Sequence, residues 1–204
     1  MIFYPQDRLP LLNCHQSLQQ FKSNKVGENL KLNLGCGSNI KKGWLNIDMF
    51  PPAELVLDLR EKLPFANNSC RMIYSEHFLE HLDYPGTAEN FLLEAFRVLQ
   101  QGGVFSLGVP DTEWPLREYR QQIDGGYYDT CKMWRHQWCA THLDHINQHF
   151  REHGQHKFAY DYETLATRLA TAGFRDIRKR AFDPDLDTEK RRIGTLYVEA
   201  VKVD

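Results

Sequence analysis

Leu30, Leu32 and Leu34 alternate with Lys31 and Asn33, a period of two that predicts a strand, and Gly35 and Gly37 follow at once. A few polar residues later, Trp44-Leu45-Asn46-Ile47-Asp48 predicts a second strand that ends on a carboxylate. Met49-Phe50-Pro51-Pro52 bars helix. Glu54-Leu55-Val56-Leu57-Asp58-Leu59 is then a nearly continuous apolar run, the mark of a strand buried on both faces, and it too reaches an aspartate. Leu63 to Ser69 reads as a loop by its Pro, Asn and Ser content, and Cys70 to Ser75 as the next strand, which brings Ser75-Glu76-His77 to the same edge. From Thr87 to Gln101 the apolar residues Ala88, Phe91, Leu92, Ala95, Phe96 and Leu99 recur at spacings of three and four, predicting an amphipathic helix stopped by Gly102-Gly103. Val104 to Val109 is a further strand, closed by Pro110 and Asp111.

Strands alternating with helices imply a parallel sheet, with polar or glycine residues delivered to its carboxyl edge. Residues 112–160 break the pattern: Trp114, Trp134, Trp138 and six of the nine histidines fall there, and the segment reads as an insertion or cap over the site. From Tyr160 a helical face returns in Tyr162, Leu165, Ala166 and Leu169, ending at Ala172-Gly173-Phe174. Two last strands are expected, Phe174 to Ala181 and Thr195 to Val203, around the polar loop Asp183 to Arg192. Residues 1–29 carry an imperfect helical stripe, Leu9, Leu11, Leu12, Leu18 and Phe21, and read as an extension or lid on a single domain spanning 30–204. No internal repeat or low-complexity segment is evident.

Composition narrows the classes. With 204 residues, 42% of them hydrophobic, the chain can bury one sizeable core. A net charge of -2 gives no electrostatic case for nucleic acid. The five cysteines, Cys14, Cys36, Cys70, Cys131 and Cys139, are odd in number and scattered, as expected of reduced thiols in a cytoplasmic protein. The start, Met1-Ile-Phe-Tyr-Pro-Gln-Asp-Arg, lacks a basic-then-apolar leader, and no stretch approaches 18 uninterrupted apolar residues, so neither export nor a membrane span is expected.

The glycine turn is the candidate ligand cradle, because bare glycine backbone can bring N–H groups against a ligand, with Asp48 placed to accept from a pair of ribose hydroxyls. A lone G-x-G also fits any tight turn. Two details disfavour a dinucleotide: Ile40 stands where the third fingerprint glycine would be, and Asp48 follows Gly35 by 13 residues rather than roughly 20.

The ordered set Leu34-Gly35-Cys36-Gly37, Asp48, Asp58-Leu59, Leu63-Pro64-Phe65, Tyr74-Ser75-Glu76-His77-Phe78-Leu79-Glu80-His81-Leu82 and Arg97-Val98-Leu99-Gln100-Gln101-Gly102-Gly103 resembles the class I S-adenosylmethionine-dependent methyltransferases, most of all the small-molecule type with Leu-Glu-His-Leu after the fourth strand. The resemblance implies a Rossmann-like α/β fold: a seven-stranded, mostly parallel sheet with helices on both faces and an antiparallel last strand. It implies S-adenosyl-L-methionine as cofactor, with Gly35 and Gly37, and Cys36 between them, close to its methionine part. Asp48 would hold the ribose and Met49 pack near the adenine. Asp58 would accept from the adenine amino group with Leu59 against the ring, and Ser75, Glu76 and His77 would close the pocket beside the sulfonium. The chain departs from the family pattern in allowing only about one helical turn between Ser38 and Gly43, so the first crossover is abbreviated.

His77 and His156 are the candidate general bases, since histidine titrates near neutrality. Glu80 and His81 read as residues that start and fix a helix. His142, His145, His149 and His153 share a helical face, with His136, His156 and Cys139 nearby, but compact zinc spacings are absent and no metal is expected. Trp134 and Trp138, with Met133, serve either as an aromatic wall for substrate or as cap packing. The runs Arg178-Lys179-Arg180 and Lys190-Arg191-Arg192 read as solvated surface. The expected activity is methyl transfer to a small-molecule acceptor. The alternatives are a non-catalytic module of the same fold and, less favoured, a nicotinamide-dependent oxidoreductase.

Overall fold

The structure, a computed structural model, describes residues 30–121, 126–131 and 137–203. Strands β1 (Lys31–Leu34), β2 (Leu45–Asp48), β3 (Leu55–Val56), β4 (Cys70–Glu76), β5 (Leu99–Pro110), β6 (Arg175–Lys179) and β7 (Thr195–Val201) form one sheet in the order β3-β2-β1-β4-β5-β7-β6. β7 is antiparallel to both neighbours, and the pairs from β3 to β5 are parallel.

The registers sort the residues by face. Leu32 lies level with Leu45 and Ile73, Ile73 with Phe105, and Phe105 with Ala200. This apolar side packs against α1 (Thr87–Val98), through Ala88, Phe91, Leu92 and Ala95, and against the helix Tyr162–Thr171, through Leu165 and Leu169, in one continuous core. The opposite side of the same rungs is polar: Asn33 lies level with Asn46 and Tyr74, Tyr74 with Ser106, and Ser106 with Glu199.

That polar face is the structural consequence of the short first crossover. Residues 35–44 hold turns and no helix, and 49–54 likewise. The segment 180–194 covers the region instead, by hydrogen bonding. Tyr74 donates to Asp187 Oδ1 at 3.0 Å, Arg180 donates to Ser106 Oγ at 2.9 Å and to both Asp187 oxygens at 2.6 Å, and Lys41 Nζ donates to the Leu186 carbonyl. Arg180 and Arg191, expected at the surface with their neighbours, are therefore partly or largely buried, because each answers a carboxylate that the sheet face has removed from water.

Two further expectations are corrected. The predicted helix to Gln101 stops at Val98, since Leu99 is already extended and pairs with Cys70. The third strand shortens to two residues, because the chain leaves the sheet at Leu57 while keeping one backbone bond to Asp48. Among the described residues of 112–160 lie α2 (Glu113–Gln121), α3 (Tyr127–Cys131) and α4 (His142–Arg151), the last held by a capping box between Thr141 and Asp144. The helix Tyr162–Thr171 is then α5, with Asp161 as its N-cap. The expected extension over 1–29, with Cys14, lies outside the described residues, as do Met133, Trp134 and His136.

Candidate functional site

Parallel pairing puts the ends of β1, β2 and β4 at one edge, and the candidate residues follow from it. Gly35 and Cys36 both donate their backbone N–H to the Ile47 carbonyl, at 2.9 and 3.1 Å, which folds the glycine turn onto the end of β2. Gly37 N–H donates to Asp48 Oδ2 at 2.8 Å, and Phe50 N–H to Oδ1 at 3.3 Å. The Asp48 carboxylate is thus fixed beside the turn while remaining partly open to solvent. A Cβ on Gly37 would meet nothing within 4 Å, so the bare backbone there faces open space. Gly35 differs: a Cβ would come within 2.4 Å of the Phe78 ring.

Cys36 is buried beside this turn, and burial, with the Asp48 charge adding to it, pushes its thiol up to about 12. Met49 is half-buried next to Asp48. Asp58 is reached through Leu57, whose N–H donates to the Asp48 carbonyl at 2.9 Å, so both aspartates lie at the same edge. Arg60 grips Asp58 with hydrogen bonds of 2.6 to 3.0 Å and holds its carboxyl below the usual range. Leu59 is buried in the core. At the end of β4, Ser75 Oγ is buried with no hydrogen-bond partner among the described residues. The Glu76 carboxylate faces the other way and is taken by Tyr197 Oη, Thr188 N–H and Arg191 Nη1 at 3.1 to 3.3 Å.

Both candidate bases converge on a third residue. His77 has φ +53° and its Nδ1 lies 3.7 Å from Glu80 Oε1. Its Nε2 lies 2.8 Å from Thr195 Oγ1, whose own proton goes to the Arg191 carbonyl at 2.6 Å. His77 Nε2–H is therefore the donor, and Nδ1 keeps a lone pair aimed at Glu80. Burial holds the His77 pKa well below the ordinary value, with Arg191 and neighbouring histidines adding to it. His156 reaches the same place from beyond α4. Burial opposes a charge on it, but its hydrogen bond to Glu152 at 2.8 Å and the Glu80 and Glu152 carboxylates outweigh that and raise its pKa.

Glu80 and His81 were expected to start and fix a helix. They sit instead in a single 3-10 turn, Leu79–His81, that turns Glu80 inward until it is 2% exposed. The Glu80 carbonyl accepts from Lys157 N–H and Phe158 N–H, which docks the 156–158 stretch on the turn. Sequence reasoning missed this role; the one signal was the i, i+3 spacing of His77 and Glu80 just past the strand. The α4 histidines face inward on aromatic rings: His142 stacks on Tyr128 at 3.7 Å, and His149, pushed down to about 4 by burial, approaches Thr112 Oγ1 at 3.3 Å.

Comparison with known proteins bears on this edge. Residues 46–107 match the Methyltransf_11 model, a methyltransferase domain. Among solved structures, an S-adenosylmethionine-dependent methyltransferase from Archaeoglobus fulgidus is similar with a TM-score of 0.53 at 17% identity, over 94% of this chain and 93% of that one. One from Thermotoga maritima gives 0.50 at 16%, over 94% and 92%. A chain of the Haloferax volcanii complex containing the Trm112 methyltransferase activator gives 0.53 at 15%, over 95% and 92%. A search of curated proteins finds no significant sequence match. Residues 46–107, from β2 to β5, thus match a methyltransferase domain, and the sheet around them has the Rossmann-like methyltransferase fold of these solved structures.

Proposed function

We propose that the chain transfers a methyl group from S-adenosylmethionine, the cofactor of this family, to a small-molecule acceptor held between the β4 end and the 112–160 segment. One observation carries the reading: the Asp48 carboxylate is fixed at the end of β2 beside the open Gly37 backbone, where an adenosyl ribose needs an acceptor. When bound, the cofactor supplies the reactive chemistry, a methyl on a positively charged sulfur.

The chain's own residues then divide the remaining work. Asp48 accepts from the ribose hydroxyls, and Gly35, Cys36 and Gly37 carry the methionine part along bare backbone. Met49 and Leu59 pack the adenine, with Asp58 at its amino group. Ser75 Oγ, buried and unpartnered among the described residues, meets a polar atom of the ligand. Glu76 works from behind, locking the β4 end to Arg191. His77, kept neutral by burial, takes the proton an acceptor loses, at Nδ1. His156 completes the wall of that pocket. Alignment of this kind can account for roughly 7–11 kcal/mol of a barrier.

Thermal-shift measurements with three ligands test the reading. Stabilisation by S-adenosylmethionine and S-adenosylhomocysteine, and none by NAD, is expected; at 100 times Kd the gain is about 2.7 kcal/mol. No stabilisation by any of the three would overturn it and leave a non-catalytic module of this fold.

A further inference from the structure

We propose that Glu80, His81 and His156 form a binding site for one divalent transition-metal cation, Zn2+ by the chemistry of its donors. One ligand atom from each lies within 4.8 Å of the others. Tetrahedral ligands 2.0–2.1 Å from zinc are about 3.4 Å apart, so side-chain shifts of about 1 Å close the triad.

The carboxylate shows the need for a cation. Glu80 is 2% exposed, and neither of its oxygens has a hydrogen-bond partner among the described residues. Two imidazole nitrogens lie near it, His77 Nδ1 at 3.7 Å and His81 Nε2 at 3.9 Å, both beyond hydrogen-bonding range. An ionised carboxylate buried without a partner costs several kcal/mol, and burial accordingly pushes the Glu80 carboxyl up to about 7. A metal ion removes that cost and supplies bonds to the oxygens.

Backbone carbonyls already fix both imidazoles through Nδ1. His81 Nδ1 faces the Gln155 carbonyl at 3.2 Å and His156 Nδ1 the His149 carbonyl at 2.7 Å. A carbonyl only accepts, so each Nδ1 carries the proton; His81 Nε2 then lies toward Glu80, while His156 Nε2 lies 2.8 Å from Glu152 Oε2, a contact that the cation would replace. An outer hydrogen bond of this sort is the usual support of a metal-bound histidine. Two histidines and one glutamate make a three-ligand set that leaves a position open, as catalytic zinc sites do. Beside it is a cavity of about 10 Å³, lined by Glu80, Thr112, His149, His156 and Tyr160, with room for one water. The Tyr160 hydroxyl, buried and unpartnered among the described residues, lines the same cavity.

Cation binding stands on these contacts alone. Its use in the reaction, to ligate and orient an oxygen of the methyl acceptor next to His77, rests on the methyltransferase reading above.

The test uses the whole chain, stripped with a chelator and dialysed. Calorimetric titration with Zn2+ is expected to give one site per chain, and Co2+ is expected to show the visible ligand-field absorption of a four-coordinate centre. Glu80→Gln and His156→Ala are each expected to weaken Zn2+ binding by about 100-fold or more, above the 10–100-fold seen for outer partners, while His153→Ala leaves it unchanged. Glu80→Gln removes a buried charge at nearly constant volume, so it keeps the fold, and denaturation curves of each variant confirm this. No stoichiometric uptake by the native chain, or affinity in Glu80→Gln and His156→Ala unchanged from that of the native chain, overturns the proposal. S-adenosylhomocysteine binding is measured on the same samples, and its loss would speak against the cofactor site rather than the metal site.

Discussion

Gly35 and Gly37 both lie in the left-handed region, at φ +69° and +50°, yet their surroundings ask for different things. At Gly37 an added methyl meets open space, so Gly37→Ala costs about 1 kcal/mol of backbone strain and shows mainly as weaker cofactor binding. At Gly35 the methyl runs into Phe78, and Gly35→Ala adds roughly 1–3 kcal/mol of overpacking to the same strain. Urea denaturation of the two variants is expected to rank them in that order; equal midpoints would contradict the packing. At this scale the structure brings to one edge the candidates that the sequence places at or just past a strand, Asp48, Asp58 and His77. Glu80 and His81 were not legible in the sequence, because their meaning depends on His156, which arrives from the far end of another segment, and on burial that no local pattern encodes.

Among the elements, the decisive one is a helix that the chain does not have. With turns alone between β1 and β2, the sheet keeps a polar face, and a hydrogen-bonded loop does the covering. The alternation of Leu32 and Leu34 with Lys31 and Asn33 announced that face. What covers it was hidden, since Arg180 and Arg191 sit in charge runs without periodicity and their partners Ser106 and Glu76 lie far away in the chain. The end of α1 was misread for a related reason: Leu99 continues the three-and-four spacing but already belongs to β5. A buried pair broken on one side is costly, and Asp187→Ala, which strands the 10% exposed Arg180 side chain, is expected to destabilise by about 3–5 kcal/mol in urea. A loss no larger than that of an exposed ion pair, about 0–1 kcal/mol, would mean that the loop does not hold the face.

For the molecule as a whole, the alternation of strands and helices predicts the parallel sheet, while its antiparallel close was implied only by the family resemblance. The edge where β1, β2 and β4 end is therefore a product of topology, and the candidate residues are those that topology delivers. The central claim is that the turn after β1 and the carboxylate after β2 together grip an adenosyl group. Isothermal titration calorimetry of S-adenosylhomocysteine into the native chain and into Asp48→Ala tests it most directly. A hydrogen-bonded charge is worth about 1.5–3 kcal/mol, so the account predicts binding to the native chain and about 10–100-fold weaker binding to the variant. Equal affinity in the two proteins, or no heat of binding from the native chain, would contradict it.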